Sequence, residues 1–371
     1  MRIGQVSHRF RPSVGGIENY AYRLSRDLHA RGHEVVVFTT TPADPVLGNQ
    51  FRHEHIPSLI RSGRNPFPLE IQRRTHEASL DLIHFHSPWY FTSIIPLLKP
   101  FEIPVIMTVH GALPEPDSPS FVLATGLLGR LAKSTLRKSV AIIALSEREA
   151  RRVELKFGIP HNRIRIIPNG IDIHQCETSP TLDPSLSSQR SDNILFVGRG
   201  SIDSRLNLIL KSFEEVVSDF PRSRLILVGP RTKTLSGIPG TKRRVVSDSR
   251  IVALGTIPDG RLCNIYNSCG IFVSMGSWEG LPTRVLEAMF HQCVPVVARA
   301  GSLPDVVSDG EDGIVLRGAT AADLSIHLRT LLSSPRRQRE MGSIARKTVL
   351  SNYDWRDCFT KIMALYEDLA S

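Results

Sequence analysis

The stretch GIFVSMGSWEGLPTRVLEAMFHQCVPVVA, residues 270–298, contains a complete strand–loop–helix–strand pattern. Its first and last runs are short and apolar, which is typical of strands inside a parallel sheet. Between them, Pro282 stands near the expected first helical position, where the missing N–H of proline costs nothing. The stretch therefore predicts a helix that joins two parallel strands, the repeating unit of an α/β domain.

The same alternation of short apolar runs and longer amphipathic runs extends to both sides. Residues 1–173 contain the predicted strands RIGQVS, HEVVVFTT, LDLIHFHS, IPVIMTVHG and SVAIIALS, and residues 194–354 contain ILFVGRG, SRLILVGP, RIVALGTIP and VPVVARAG. Residues 174–193 are rich in Ser, Thr and Pro, so we predict a linker there. The predicted fold class is α/β, with two doubly wound parallel-sheet domains, a ligand cleft at the carboxyl ends of their strands and a closing helix over 355–371.

Composition restricts the class of protein. The hydrophobic content of 41% and the charged content of 22% are ordinary for a globular protein, and no apolar run is long enough to span a membrane. The N-terminus lacks an apolar signal region, and the five cysteines form no CxxC pair, which together predict a reducing, cytoplasmic location. The net charge of +10 is compatible with nucleic acid, an anionic membrane or a phosphorylated ligand, or with a simple solvated basic surface.

Two pairs of residues follow predicted strands and suit an anionic ligand. At Gly15 and Gly16 a ligand can approach the backbone closely, and the amides of a helix start favour an anion. The dinucleotide fingerprint GxGxxG is absent, and a plain tight turn is the alternative. Arg199 follows a strand directly and Arg205 precedes the next helix, so their guanidiniums can grip a diphosphate, with solvated surface arginines as the alternative.

The opening stretch carries two acids eight positions apart. Amides in the helical turn that starts near Thr283 have no partner within the helix and can hold phosphate or sugar oxygens. Glu287, one turn further along, can accept two hydrogen bonds from a vicinal diol such as a ribose. Glu279, in the preceding loop, can face the other end of the same ligand. For either glutamate the alternative is a surface acid near the positive end of a helix dipole.

Three histidines lie at the ends of predicted strands. His84 and His86 alternate with Phe85 and share one face of a strand, which permits a metal site, although no carboxylate partner accompanies them. His110 ends another strand and can contact a reacting group, with a packing role as the alternative. No Asp-x-Asp pair ends an apolar strand, so the sequence predicts no catalytic metal.

The ordered set of motifs resembles the retaining glycosyltransferases of family 4, which have the GT-B fold. SWEGLPTRVLEAM resembles their E-x7-E signature, and RPSVGGIENY, TVHG, IIPNGID, ILFVGRG and CVPVVARAGSLPDVVSDGEDGIVL match other landmarks in the same order. The resemblance implies two Rossmann-like domains that face a central cleft. Residues 1–173 would bind the acceptor, 194–354 would bind a nucleotide-sugar donor, and the helix over 355–371 would return to the first domain.

The resemblance also implies roles for the site residues. The implied catalytic set contains Arg199 and Arg205 on the donor diphosphate, Glu279 facing the donor sugar, and His110 near the sugar and the acceptor. The implied donor-binding set contains the glycine turn, the loop before the helix, and the acid that would bind the ribose: Gly15, Gly16, Gly280, Leu281, Pro282, Thr283 and Glu287. The expected partners are a nucleotide-diphosphate sugar and a glycan or lipid-linked acceptor, without a metal cofactor.

Two departures from the family pattern concern the donor domain. Arg205 stands where the family usually has a lysine, which keeps the charge but changes its geometry. His291, Gln292 and Cys293 stand where the family usually has small residues that include a glycine, so we expect a less favourable end to the helix.

The implied reaction is sugar transfer with retention at the anomeric carbon, without a protein nucleophile, in glycan or glycolipid synthesis. Two alternatives keep the ligand: a nucleotide-sugar epimerase of the same fold, and a non-catalytic nucleotide-sugar-binding subunit. A third alternative is a nucleic-acid-binding module. The positive net charge of the chain is compatible with it, but the sequence does not alternate aromatic and basic residues as such modules do.

An amphipathic stretch at residues 121–140 indicates an anionic membrane surface as a further partner. Its leucines recur at helical spacing beside basic residues: Leu123, Leu127, Leu128 and Leu131, with Arg130, Lys133, Arg137 and Lys138. Such a helix can lie on anionic lipid, which would place the enzyme peripherally on the cytoplasmic membrane face. An ordinary half-buried helix is the alternative.

Overall fold

The structure is a computed structural model of the 371-residue chain. It describes residues 1–13, 15–43, 51–58, 60–62, 65–111, 119–174, 186, 189–198, 205–229, 248–276 and 281–370. The chain forms two compact units. The first unit contains residues 1–169 and 358–371, and the second contains residues 170–357.

The first unit is built on a seven-stranded parallel sheet. Its strands, with a separate two-stranded antiparallel ribbon formed by β4 and β5, are β1 Arg2–Ser7, β2 Glu34–Thr39, β3 Arg52–His55, β4 Ile60–Ser62, β5 Asn65–Phe67, β6 Leu82–His86, β7 Val105–Val109, β8 Ala141–Ala144 and β9 Ile164–Ile166. The order in the large sheet is β3-β2-β1-β6-β7-β8-β9. The helices of this part of the chain are α1 Gly16–Ala30, α2 Ile71–Glu77, α3 Phe91–Ile94, α4 Pro119–Lys138 and α5 Glu147–Phe157.

The two faces of this sheet differ in chemistry. One face contributes alternate residues such as Val6, Phe85 and Val109 to an apolar core. The residues between them, among them Gln5 and His84, are polar and fully buried. Buried polar groups need hydrogen-bond partners, so this second face requires a network rather than simple packing.

The second unit is built on a six-stranded parallel sheet. Its strands are β10 Asn193–Val197, β11 Arg224–Val228, β12 Ile251–Gly255, β13 Ile271–Ser274, β14 Val294–Ala298 and β15 Ile314–Leu316. Their order is β12-β11-β10-β13-β14-β15. Numbered within the unit this is 3-2-1-4-5-6, the order of the Rossmann fold.

Helices cover the second sheet and continue to the C-terminus. They are α6 Leu206–Val217, α7 Asp259–Asn267, α8 Thr283–Phe290, α9 Leu303–Val306, α10 Ala321–Leu332, α11 Pro335–Asn352 and α12 Trp355–Ala370. Helix α8 begins at Thr283, with Pro282 in the preceding cap position. Helix α12 starts in the second unit and supplies residues 358–370 to the first.

The predicted fold class is confirmed: both sheets are parallel, doubly wound and covered by helices. Most of the predicted linker, including residues 175–185, lies outside the described residues. None of the helices within the described ranges combines the length and the apolar character needed to cross a bilayer.

Candidate functional site

Strand order places the candidate residues of the second unit at its topological switch point. Strand β10 continues in sequence to β11 on one side of the sheet, whereas β13 continues to β14 on the other. Ligands of open α/β sheets bind outside the carboxyl ends of two such strands. Arg205 comes after β10, and the segment from Leu281 to Glu287 comes after β13. Arg199, Glu279 and Gly280 lie outside the described residues.

The start of helix α8 has backbone amides that can bind an anion. Leu281, two residues before the helix, is buried. Pro282 occupies the cap position in an extended conformation, and no side chain caps the helix. The first-turn amides of a helix have no carbonyl partner inside it, so the amide of Thr283 faces outward from the helix ladder. A phosphate or a sugar oxygen is the chemical complement of such an end.

Glu287 is held in one orientation by two neighbours. Its Oε2 accepts a hydrogen bond from the Nη1 of Arg284 at 2.8 Å and another from the hydroxyl of Tyr266 at 3.1 Å. Tyr266 is fully buried on helix α7, and its hydroxyl also lies 3.3 Å from the carbonyl oxygen of Arg284. Both of these hydrogen bonds use Oε2, and neither engages Oε1.

The chemistry of Tyr266 suits this donor role. Burial, reinforced by the charge of Glu287, raises the pKa of Tyr266 well above its ordinary value. The phenol therefore stays protonated at any physiological pH and donates a hydrogen bond to the carboxylate. The sequence reasoning missed Tyr266 and the supporting contact of Arg284. The contact of Arg284 with Glu287 could have been expected, because residues three apart on a helix lie on the same face.

Arg205 has an unusual backbone conformation. It caps helix α6 with φ of 50° and ψ of 35°, in the left-handed region. Only glycine enters this region freely, and a residue with a Cβ loses roughly 1–2 kcal/mol there. Its carbonyl oxygen accepts hydrogen bonds from the amides of Leu208 and Ile209, at 2.9 and 3.3 Å. Strained conformations of this kind cluster at functional sites.

The glycine pair lies at the carboxyl end of β1, in the first unit. Helix α1 begins at Gly16, and Gly15 is its cap in an extended conformation that any residue can adopt. No side chain caps the helix. A Cβ added to Gly16 would meet no heavy atom within 4 Å. The fold itself therefore does not require glycine at position 16.

His110 follows β7 at the same carboxyl edge of the first sheet. Its Nε2 lies 3.2 Å from the Nδ1 of His86, and the ring of Tyr20 packs edge-on against it with centroids 4.9 Å apart. Burial lowers the pKa of His110 to about 3, so the ring is neutral at physiological pH. The residue keeps some exposure to solvent.

The metal alternative for His84 and His86 is wrong. His84 uses one ring nitrogen for the hydroxyl of Tyr366 at 2.5 Å and the other for Thr108 at 2.7 Å. His86 uses its nitrogens for His110 and, at 2.8 Å, for Gln5. All four ring nitrogens have protein partners. In the part of the chain that the structure describes, no group of three His, Cys, Asp or Glu residues is placed to hold a metal ion.

Family models identify the class of protein, and a solved structure shows the same fold. The structure of Anabaena Alr3699/HepE in complex with UDP-glucose has a TM-score of 0.78 with this chain, at 17% identity and with 100% of each chain covered. The model described as Glycosyltransferase Family 4 matches residues 14–175, and that described as Glycosyl transferases group 1 matches residues 181–348. The chain belongs to the GT-B glycosyltransferases. The motif-based resemblance to the family 4 glycosyltransferases of the GT-B fold is thereby confirmed.

Curated relatives align with this glycosyltransferase over nearly its whole length. It is 27% identical to the MMP alpha-(1->4)-mannosyltransferase of Mycolicibacterium hassiacum, with 99% of this chain and 98% of the relative covered. It is 24% identical to the GDP-mannose:cellobiosyl-diphosphopolyprenol alpha-mannosyltransferase of Xanthomonas campestris, with 96% and 94% covered.

Proposed function

We propose that this enzyme transfers a sugar from a nucleotide-diphosphate donor to a hydroxyl of a glycan or lipid-linked acceptor, with retention at the anomeric carbon. The observation that carries the proposal is the fixed carboxylate of Glu287 beside the uncapped start of helix α8. This carboxylate can accept hydrogen bonds from a diol, and backbone amides that face away from the helix lie within one helical turn of it. The arrangement matches a ribose joined to a phosphate.

The second unit is assigned to the donor. In this proposal Glu287 binds the ribose, and the amides from Gly280 to Thr283 bind oxygens of the phosphate and the sugar. Arg199 and Arg205 neutralise the diphosphate, and Glu279 orients the sugar. Names of relatives and neighbours support a nucleotide-sugar donor: one neighbour was solved with UDP-glucose, and one relative is named for GDP-mannose.

The first unit is assigned to the acceptor and to the reacting end of the donor. Gly15 and Gly16 let the donor phosphates approach the start of helix α1, and His110 lies near the sugar and the acceptor hydroxyl. The relative named for a diphosphopolyprenol substrate supports a lipid-linked acceptor. The enzyme would then work in cell-surface glycan or glycolipid synthesis, on the cytoplasmic side.

The reaction balances without a protein nucleophile. The acceptor oxygen forms a bond to the anomeric carbon on the face from which the diphosphate departs, and the bond between that carbon and the phosphate oxygen breaks. The proton of the acceptor hydroxyl passes to the leaving phosphate. The charge that develops on the diphosphate is stabilised by the two arginines and by helix amides, a type of interaction worth several kcal/mol in a site that excludes water.

Membrane association is a separate part of the proposal. Helix α4 carries exposed Arg130 and Arg137, whereas Leu128 and Leu131 are half-buried; the side chains of Leu123 and Leu127 lie outside the described residues. Anionic vesicles should therefore sediment the protein at low salt and release it at high salt. Failure to sediment at any salt concentration would remove the membrane from the proposal and leave the transfer reaction intact.

The identity of the donor can be tested with a panel of UDP-, GDP- and ADP-sugars, followed by proton NMR. The proposal predicts slow release of one nucleoside diphosphate and free sugar from one donor. Conversion of a donor into its epimer would support the epimerase instead. Tight donor binding without release, and without transfer to any acceptor, would support a binding subunit.

A further inference from the structure

The buried polar face of the first sheet forms one continuous chain of hydrogen bonds that ends at His110. Its members, named here the histidine–glutamine chain, lie on β1, β6 and β7, at the end of β7, and on helix α12: Thr108, His84, Tyr366, Gln5, His86 and His110. Gln5 is the register partner of His84, and Thr108 is that of His86. All members except His110 are fully buried.

The hydrogen bond between Gln5 and Tyr366 sets the direction of the bond between Gln5 and His86. The Nε2 of Gln5 donates to the hydroxyl of Tyr366 at 3.1 Å, so the Oε1 of Gln5 faces His86. An amide oxygen only accepts, so the Nε2 of His86 must carry a proton. Burial, together with the neighbouring histidines, lowers the pKa of His86 well below its ordinary value, so its ring is neutral and its Nδ1 has no proton.

The same reasoning extends to the end of the chain. The bare Nδ1 of His86 can only accept, so the Nε2 of His110 must donate across the 3.2 Å that separates them. A neutral His110 with a proton on Nε2 has a bare Nδ1. Within the described residues no hydrogen bond engages this Nδ1, and it belongs to the one member of the chain that keeps some exposure.

We propose that the histidine–glutamine chain fixes His110 in the Nε2–H tautomer, so that its Nδ1 presents a hydrogen-bond acceptor to a hydroxyl of the sugar or of the acceptor. Gln5, His86 and Tyr366 are then positioning residues. The functional meaning rests on the proposed role of His110 beside the sugar. A ring nitrogen without a proton accepts a hydrogen bond from a hydroxyl but cannot donate one to a phosphate or carbonyl oxygen. The chain therefore contributes to specificity for hydroxyls.

Histidine tautomers can be read directly in the full-length protein by long-range proton–nitrogen NMR after selective nitrogen-15 labelling of histidine. The variant His110→Gln identifies the His110 signals by their loss. Spectra are recorded without donor or acceptor. The proposal predicts a single Nε2–H tautomer for His110. A His110 that carries its proton on Nδ1 would overturn it, whatever the enzyme turns out to transfer.

Two variants test whether the histidine–glutamine chain sets the tautomer of His110. Gln5→Met removes the oxygen that holds the proton on His86, so His110 should become a mixture of tautomers, and kcat should fall about tenfold with donor KM little changed. Thr75→Val is the matched control: it removes a buried hydrogen bond to the carbonyl oxygen of Ile71, in the same unit but outside the chain, and the tautomer of His110 should stay as in the wild type. An unchanged tautomer in Gln5→Met would overturn the proposal, and if that variant fails to fold, the wild-type spectrum still decides. An inactive protein with the expected tautomer would reject the proposed function alone.

Discussion

At the scale of single residues, a substitution at Gly16 tests a role in ligand binding, because the fold does not require glycine at this position. The space around its Cα is open, and alanine is the better helix former, so Gly16→Ala should leave stability unchanged or raise it by up to about 1 kcal/mol. If donor phosphates approach this backbone, the added methyl group should raise donor KM roughly tenfold. Urea unfolding and donor titration measure the two effects, and a variant with unchanged donor KM would exclude a ligand at Gly16.

Tyr266 gives a second prediction at this scale. Tyr266→Phe removes the hydroxyl that contacts Glu287 and should destabilise the protein by about 1 kcal/mol. Donor KM should rise several-fold while kcat changes little, because the carboxylate loses one of the groups that orient it. The control is Tyr353→Phe, whose hydroxyl instead contacts the backbone of Asp305 at 3.4 Å. Equal donor KM values for both variants would argue against Glu287 as the ribose ligand.

At the scale of elements, the start of helix α6 combines strain with a proposed function. Arg205→Gly and Arg205→Ala both remove the guanidinium, so turnover should fall by roughly a hundredfold or more in each. Their stabilities should differ, because glycine adopts the left-handed conformation freely and alanine does not. We expect the glycine variant to be about 1 kcal/mol more stable than the alanine variant. Near-normal turnover in either variant would reject the diphosphate role.

The end of helix α8 lacks the glycine that the family pattern usually includes in this segment. Gln292 adopts a φ of 60°, in the left-handed region, just after the helix ends. Gln292→Gly should therefore be about 1 kcal/mol more stable than Gln292→Ala, visible as a thermal midpoint higher by a few degrees. Turnover should be unaffected, since Gln292 has no role in the proposed site. Equal midpoints would show that the left-handed conformation carries no cost here.

Element patterns also show what the sequence could predict. The central strands are continuous apolar runs and were placed correctly, as β1, β7 and β13 illustrate. Edge strand β3, Arg52–His55, was missed because it is polar and partly exposed, and its membership of the sheet depends on pairing with β2. The ribbon of β4 and β5 was missed because each strand has only three residues.

At the scale of the whole molecule, the order of motifs predicted the two-domain fold and the candidate site residues by position. It did not predict the groups that hold them. Gln5 and Tyr366 stand 361 residues apart and meet through a 3.1 Å hydrogen bond, which no local pattern contains. A buried polar network depends on strand register and on the return of helix α12, so it becomes visible only in three dimensions.

The central claim is transfer with retention, and the anomer of the first product tests it most directly. Proton NMR can follow the purified enzyme with its α-linked nucleotide-sugar and acceptor at early times, before any free sugar mutarotates. The account predicts that the product first formed is the α-anomer, with one nucleoside diphosphate released for each sugar transferred. A β-anomer as the first product, or an epimerised donor without transfer, would contradict it.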